Sequence, residues 1–310
     1  MSSTRPVHAR LVALTTAGLL AASLAAATPT SAVGTAQQRA GSASITFGTY
    51  NIQKPSSSRP WGPRRTKVAS LLRDARPDVF GIQEANGPHK GPVRGFPARD
   101  LDAQLSAYAI VRTRDDRGTR ALSTTGRYIF YRTARFTPGR NGEIALGSGS
   151  FAVWSELTDR STGGRFVFVD AHLVNGNTAA RDRVRRAQTR RLVARTRAAN
   201  RSALPVVYAG DLNTHRDHVS DAPTAVLRAA GSVNTYDVAR TRVKASYSSS
   251  NQLRRKPPRK YLHADYVWVP RGSTVSRWAQ AIRLRDGRFV GTIPSDHHPV
   301  FASVRLPHQR

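Results

Sequence analysis

Apolar residues in this chain come in short runs, and many of the runs end in a polar side chain. Ile45–Tyr50 predicts a first strand that ends at Asn51, and Val79–Gln83 predicts a buried strand that ends at Glu84. Tyr128–Tyr131, Phe151–Leu157, Phe166–Asp170, Val206–Ala209, Tyr266–Val269 and Pro299–Val304 complete the strand-like runs. Between them lie helical stretches: Arg64–Ala75 with Val68, Leu71 and Leu72 on one side, a weak one over Leu101–Tyr108, and a short one over Thr224–Ala230. Thr178–Ala199 is the clearest helix, with Val184, Ala187, Gln188 and Leu192 expected inward and Arg183, Arg186, Arg190 and Arg197 on another side. That arginine row reads first as a solvated face and second as an attraction for phosphate. Helices and strands interleave, yet several strands follow one another directly, which points to mixed sheets flanked by helices.

The first 32 residues read differently. Arg5 and Arg10 form a basic start, Leu11 to Ala27 is a small apolar run rich in alanine, and Thr30-Ser31-Ala32 supplies small residues for cleavage. This is the layout of a secretory signal peptide, with a short flexible lead-in over residues 33–44 and one large domain over residues 45–306. A secreted, extracellular protein without stable membrane insertion is expected. Cysteine is absent from the sequence, which excludes a thiol nucleophile and a thiolate zinc site.

Charge narrows the partners. Lys and Arg total 49 against 19 Asp and Glu, a net of +30, and +28 without the two leader arginines; only six of the basic residues are lysine. Such a surface favours polyanions, the nucleic-acid phosphate backbone first among them. Arg254, Arg255, Lys256, Arg259 and Lys260 form a basic segment just before His263 and Asp265 and are candidate substrate-binding residues. Nothing points to a protein partner.

The candidate chemistry sits at or just beyond the strand ends: Asn51, Glu84, His172, Asp211 with Asn213, Asp265, and Asp296 with His297. Taken singly, each has a structural explanation, such as a cap, a surface ion pair or a core histidine. Their arrival in order after apolar strands is harder to explain that way. Carboxylate, amide and imidazole together suit metal-assisted cleavage of a phosphodiester.

These residues lie in Thr49-Tyr50-Asn51-Ile52, Gly81-Ile82-Gln83-Glu84, Asp170-Ala171-His172-Leu173, Gly210-Asp211-Leu212-Asn213, His263-Ala264-Asp265-Tyr266 and Ser295-Asp296-His297-His298-Pro299-Val300. The set resembles the endonuclease/exonuclease/phosphatase superfamily. The resemblance implies a four-layer α/β sandwich of two packed mixed β-sheets flanked by helices. It implies Mg²⁺ as cofactor (Mn²⁺ or Ca²⁺ as alternatives), bound by Glu84 with Asn51 in support and Asp296 near the metal. By the same resemblance Asp211 orients or activates water, Asn213 steadies a phosphate oxygen, and His297 is the general base, oriented by Asp296. His172 donates to the phosphate or leaving oxygen, and Asp265 either orients His172 or binds metal.

The chain also departs from the pattern. Gln53 stands where abasic-site enzymes tend to carry an acid, and Gly126-Arg127 stands where deoxyribonuclease-type members can place a glutamate that orients a histidine. The resulting expectation is a nuclease acting on DNA with little sequence preference. The alternatives are a sphingomyelinase-like phospholipase C, an inositol-phosphate phosphatase, and, from a different class, an inactive polyanion-binding protein.

Overall fold

A computed structural model of the chain describes residues 43–86, 97–114, 120–121, 125–215, 217–218 and 220–307. The leader, and all but the last two residues of the lead-in, lie outside the described residues. Strand β1 (Ile45–Asn51) leads into helix α1 (Gly62–Ala75), β2 (Val79–Gln83) and α2 (Pro97–Gln104). Short β3 (Tyr108–Ile110) and the paired β4 (Thr113–Arg114) and β5 (Arg120–Ala121) precede β6 (Tyr128–Arg132). Three long strands follow, β7 (Phe136–Gly147), β8 (Ser150–Asp159) and β9 (Arg165–His172), and then α3 (Ala179–Ala199) and β10 (Val206–Asp211). The rest is α4 (Ala222–Ala229), β11 (Ser232–Asn234), α5 (Thr235–Val238), β12 (Thr241–Val243), β13 (Asp265–Pro270), β14 (Thr274–Gln280) and β15 (Val300–Arg305).

These strands form two mixed sheets, ordered β12-β14-β15-β1-β2-β6-β3 and β11-β13-β10-β9-β8-β7. The sheets pack face to face with helices outside, giving the four-layer α/β sandwich. Strand alternation builds it, because successive side chains leave a strand on opposite faces. On β9, Phe166 and Phe168 face the opposite sheet, while Val167 and Val169 face the helices. On β1, Phe47 points inward, stacks on Phe168 at 5.9 Å and meets Phe166 edge-on at 5.3 Å. Outside the first sheet, Tyr50, Phe80, Ile82 and Phe130 pack with Val68 and Leu72 of α1 and Leu101 of α2. Outside the second, Val167, Val169 and Trp268 pack with Leu192 of α3 and Leu227 of α4. Each such side chain contributes about 1.5–3 kcal/mol by leaving water.

Several elements differ from the sequence expectations. Helix α2 begins at Pro97 and ends at Gln104, so Tyr108 opens a strand instead of closing a helix. Within α3, Gln188 and Leu192 are buried as expected, but Val184 is half-buried and Ala187 is exposed; the buried face is Asp182, Arg185, Gln188, Thr189, Leu192 and Thr196. Polar residues supply most of that face, so an apolar period places it one position off. Strands β7 and β14 are absent from the expectations for two different reasons. β7 is an edge strand that carries Pro138 and buries few residues, and β14 has a register shift between Val275 and Arg277 that breaks its period of two.

Candidate active site

The alternation that builds the inter-sheet core also builds the site. Inward positions run Phe47 to Asn51 on β1, Val79 to Gln83 on β2, and Phe166, Phe168, Asp170 and His172 on β9. They run Val207, Ala209 and Asp211 on β10, and Val269, Val267 and Asp265 on β13. At one end of the sandwich the inward residues turn from apolar to polar. The register brings Asp211 level with His172 on one side and with Asp265 on the other.

Asp211 is the hub. Its Oδ2 accepts a hydrogen bond from Asn51 Nδ2 at 3.0 Å and lies 3.6 Å from His172 Nε2 and 3.7 Å from His297 Nε2. Its Oδ1 accepts from the backbone N–H of Asn213 at 2.9 Å. Asn51 Nδ2 also donates to Glu84 Oε1 at 3.1 Å, while Glu84 Oε2 accepts from the Lys54 backbone N–H at 2.9 Å. Residues far apart along the chain thus meet around one carboxylate.

His297 is oriented by Asp265, not by Asp296: its Nδ1 lies 2.8 Å from Asp265 Oδ2. Asp265 is therefore not the partner of His172. The reason is geometric: the inward parity of β13 brings Asp265 to the His297 ring, whereas Asp296 stands at a bend in the chain. Asp296 Oδ1 instead accepts from Ser295 Oγ at 3.2 Å. Burial pulls against the charged ring, yet Asp265 and Asp211 hold His297 well above the usual histidine range. Burial dominates at His172 and lowers its pKa, so the two imidazoles carry different proton affinities.

Three site residues, Gln53, Glu84 and Asn213, have positive φ (57°, 60° and 49°), a region that costs a non-glycine residue energy and that aims side chains off the ends of strands. Gly210 is required as glycine: φ is 140°, and a Cβ there would lie 1.8 Å from the Ala171 carbonyl oxygen. One amide hydrogen of Asn213 goes to the Leu173 carbonyl at 2.9 Å, leaving the other for a ligand.

Sequence reasoning gave no role to five supporting residues, Arg64, Ser295, Gln83, Asp170 and Gly81. Arg64, 1% exposed, donates from Nη1 to the Ile52 and Pro294 carbonyls at 2.6 and 2.9 Å and from Nη2 to the Gln53 carbonyl at 2.8 Å. It ties the loop after Asn51 to the loop before Asp296. Ser295 Oγ donates to the Asn51 carbonyl at 2.7 Å and accepts from the His297 N–H at 3.1 Å. Gln83 Nε2 donates to Asp170 Oδ1 at 2.5 Å, inside the cleft behind the site. A Cβ on Gly81 would lie 2.1 Å from that same oxygen, so Gly81 makes the space Asp170 occupies. For Gln83 and Asp170 the signal was the inward strand parity, which applies to them as it does to Asp211.

Burial raises the Asp170 carboxyl well above its ordinary value. A raised folded pKa favours the fold fully below the unfolded value of about 3.9, and that advantage is lost as pH rises through the folded pKa. Asp170→Asn is therefore expected to melt higher than wild type at pH 7–8. The gain should vanish near pH 4. A melting difference that does not vary with pH would contradict a neutral buried acid.

The basic segment starts beside the site, since Asn251 Nδ2 donates to the Ser295 carbonyl at 2.9 Å and the Asn251 N–H to the Asp296 carbonyl at 2.6 Å. Arg254, Arg255, Lys256, Arg259 and Lys260 follow it, and all five are exposed. Arg255 is tethered to the carbonyls of Phe289 and Gly291, and Arg259 bonds Ser246 Oγ and covers the Tyr247 ring. In the arginine row of α3, Arg183, Arg190 and Arg197 are exposed, and Arg186 Nη2 bonds Ser220 Oγ at 3.2 Å.

Two donor sets could hold a cation. Donor atoms of Asp211, Asp265 and His297 lie within 4.8 Å of one another. In that set His297 already spends Nδ1 on Asp265, and its Nε2 lies 3.7 Å from Asp211 Oδ2. Glu84 and Asp296, with Asn51, offer oxygen donors of the kind a hard cation takes. Burial raises the Asp296 pKa, and the Glu84 charge raises it further. A divalent cation would relieve that repulsion, so these residues fit the ion.

Among solved structures, the chain is similar to an endonuclease/exonuclease/phosphatase family protein from Bacteroides thetaiotaomicron, at 20% identity and a TM-score of 0.68, covering 84% of this chain and 98% of that one. It is similar to the mannosyl-6-phosphatase of Bacteroides thetaiotaomicron VPI-5482, at 20% identity, a TM-score of 0.67, and coverage of 84% and 99%. D. rerio TDP2 complexed with single strand DNA product is a more distant likeness, at 16% identity, a TM-score of 0.58, and coverage of 84% and 99%. No curated protein sequence matches the chain. The model of the Endonuclease/Exonuclease/phosphatase family matches residues 48–297, from within β1 through His297 and so across every site residue described above, and the chain belongs to that family of phosphoesterases.

Proposed function

We propose that this chain is a divalent-metal-dependent phosphodiesterase, exported by its N-terminal leader, that hydrolyses DNA with little sequence preference. The observation that carries the reading is the convergence on Asp211, where one carboxylate oxygen faces Asn51, His172 and His297 within 3.7 Å. Glu84 and Asp296, with Asn51, would hold the cation, which when bound offsets negative charge on phosphate oxygens. Asp211 accepts a hydrogen bond from a proton of the attacking water and aims the water oxygen. His297 takes up that proton, and Asp265 fixes the tautomer and stabilises the charged ring. His172, neutral and facing the same oxygen, bonds the phosphate or the leaving oxygen. The net charge of +30 supports a long anionic substrate held by its backbone.

A phosphomonoesterase is the second reading, favoured by the likeness to a mannosyl-6-phosphatase. A panel of supercoiled DNA, RNA, sphingomyelin vesicles, inositol phosphates and mannose 6-phosphate, each with Mg²⁺, Mn²⁺ or Ca²⁺, separates them. The proposal expects DNA cleavage above all others, abolished by EDTA and weakened steeply by salt. Mannose 6-phosphate hydrolysis with intact DNA would establish the second reading and reject the first. DNA retention without any hydrolysis would mark a polyanion-binding protein.

A further inference from the structure

Strand β6 enters the site from its other end, and the residue just before it has no role in the chemistry above. Ile129 and Tyr131 of β6 face the inter-sheet core, while Tyr128 and Phe130 face the helices. The same alternation puts Arg127 on the inward face. The register agrees. Ile82 pairs with Tyr128 across the antiparallel β2–β6 ladder, so one step further Arg127 comes level with Gln83, whose amide reaches Asp170. The Ala85 N–H to Gly126 carbonyl bond, 3.0 Å, continues the pairing around this corner and holds it beside Glu84.

Arg127 is half-buried, yet among the described residues its hydrogen bonding is nearly empty. Nη1 donates to the Thr125 carbonyl in its own turn, and Nε is buried with no partner among the described residues. No carboxylate oxygen lies within ion-pair distance of it among those residues. The guanidinium therefore faces the same cleft as Asp170, His172 and Asp211, and among the described residues most of its fork is unspent. A desolvated cation with an orphaned donor is costly to keep unless something binds it. The charges it feels most strongly are Asp170, then Glu84, Glu143 and Asp211, two of which belong to the site.

We propose that Arg127 binds the non-bridging oxygens of the scissile phosphate, from the β6 side of the cleft opposite His297. This rests on the reading of the site as a phosphoesterase and adds a residue to it. A planar fork matches two phosphate oxygens at once, and its fixed charge offsets negative charge that builds there during attack. It also gives a physical reason for the departure noted in the sequence. A carboxylate at this position would repel the phosphate; an arginine holds it directly.

The test measures binding separately from turnover. Inorganic phosphate is titrated calorimetrically into the full chain with Mg²⁺ present, for wild type, Arg127→Met and Arg127→Lys. The proposal expects Arg127→Met to bind phosphate about tenfold or more weakly, to lose about 10²-fold or more in kcat, and to melt within a few degrees of wild type. Arg127→Lys, which keeps the charge without the fork, should recover binding in part. Unchanged phosphate affinity in Arg127→Met would overturn the assignment, and a change confined to melting temperature would overturn it too and make Arg127 a structural residue only. Wild-type phosphate binding without hydrolysis of any ester would count against the phosphoesterase reading and leave the role of Arg127 as an anion ligand standing.

Discussion

His297→Ala is expected to lower kcat/KM on a phosphodiester by about 10²–10⁴-fold, the usual contribution of a positioned acid–base group. The fold should survive, because the ring is held by one side-chain bond, to Asp265, and the chain around it is anchored by Ser295 and Asn251. Asp265→Asn should lose a comparable factor while leaving the ring in place, since an amide can present an N–H where the imidazole needs an acceptor. The two substitutions also separate through pH. A base works unprotonated, and Asp265 and Asp211 raise the proton affinity of His297. The acid limb of the wild-type rate profile should therefore lie above the ordinary histidine value of about 6.5. In Asp265→Asn one of the two holding charges is gone, and the limb should move to lower pH. A limb that stays in place, or an Asp265→Asn enzyme of full activity, would remove the dyad from the mechanism.

The largest effect on stability is expected at a residue that touches no substrate. Arg64→Ala should destabilise the fold by about 3–5 kcal/mol, the range for breaking a buried charged network. Its guanidinium satisfies the Ile52, Gln53 and Pro294 carbonyls, and removing it strands these acceptors in the interior. The same bonds fix the loops carrying Asn51 and Asp296, so activity should fall even in molecules that remain folded. Chemical denaturation measures the first effect and Mg²⁺-dependent turnover, normalised to folded protein, the second. Arg64→Lys, which can serve fewer of the carbonyls, should fall between. A loss below about 1 kcal/mol would mean that water replaces the guanidinium and that the two loops are held by other contacts.

Much of this site was legible in the chain, and the reason is alternation. Asp211 follows Val207 and Ala209 at a spacing of two, Asp265 precedes Val267 and Val269, and His172 follows Phe166, Phe168 and Asp170. An inward apolar strand that turns polar at its end marks a cleft residue by its parity alone. The layered fold was legible for the same reason, since β1, β2, β6, β9, β10, β13 and β15 all carry strong apolar runs. What could not be read was pairing across the sequence. The link between Asp265 and His297 spans 32 positions and exists because β10 and β13 lie side by side and the Ser295–His297 segment crosses their ends. The neighbouring Asp296 was the nearer carboxylate along the chain and the wrong one in space. Arg64 was invisible because its position in α1 belongs to a polar run, Pro63-Arg64-Arg65, where one arginine is buried and the next is exposed. Strands β7 and β14 were missed because an edge position and a bulge each erase the period of two.

The most direct test of the central claim is nicking of supercoiled plasmid by purified protein in Mg²⁺, comparing wild type with Asp211→Asn. Asp211 is the carboxylate on which Asn51, His172 and His297 converge, and Asn keeps its shape while removing its charge. Wild type is expected to nick the plasmid and EDTA to stop it, and Asp211→Asn to be slower by about 10²-fold or more with unchanged DNA retention. Equal nicking by the two proteins, or none by wild type with any divalent cation, would contradict the central claim.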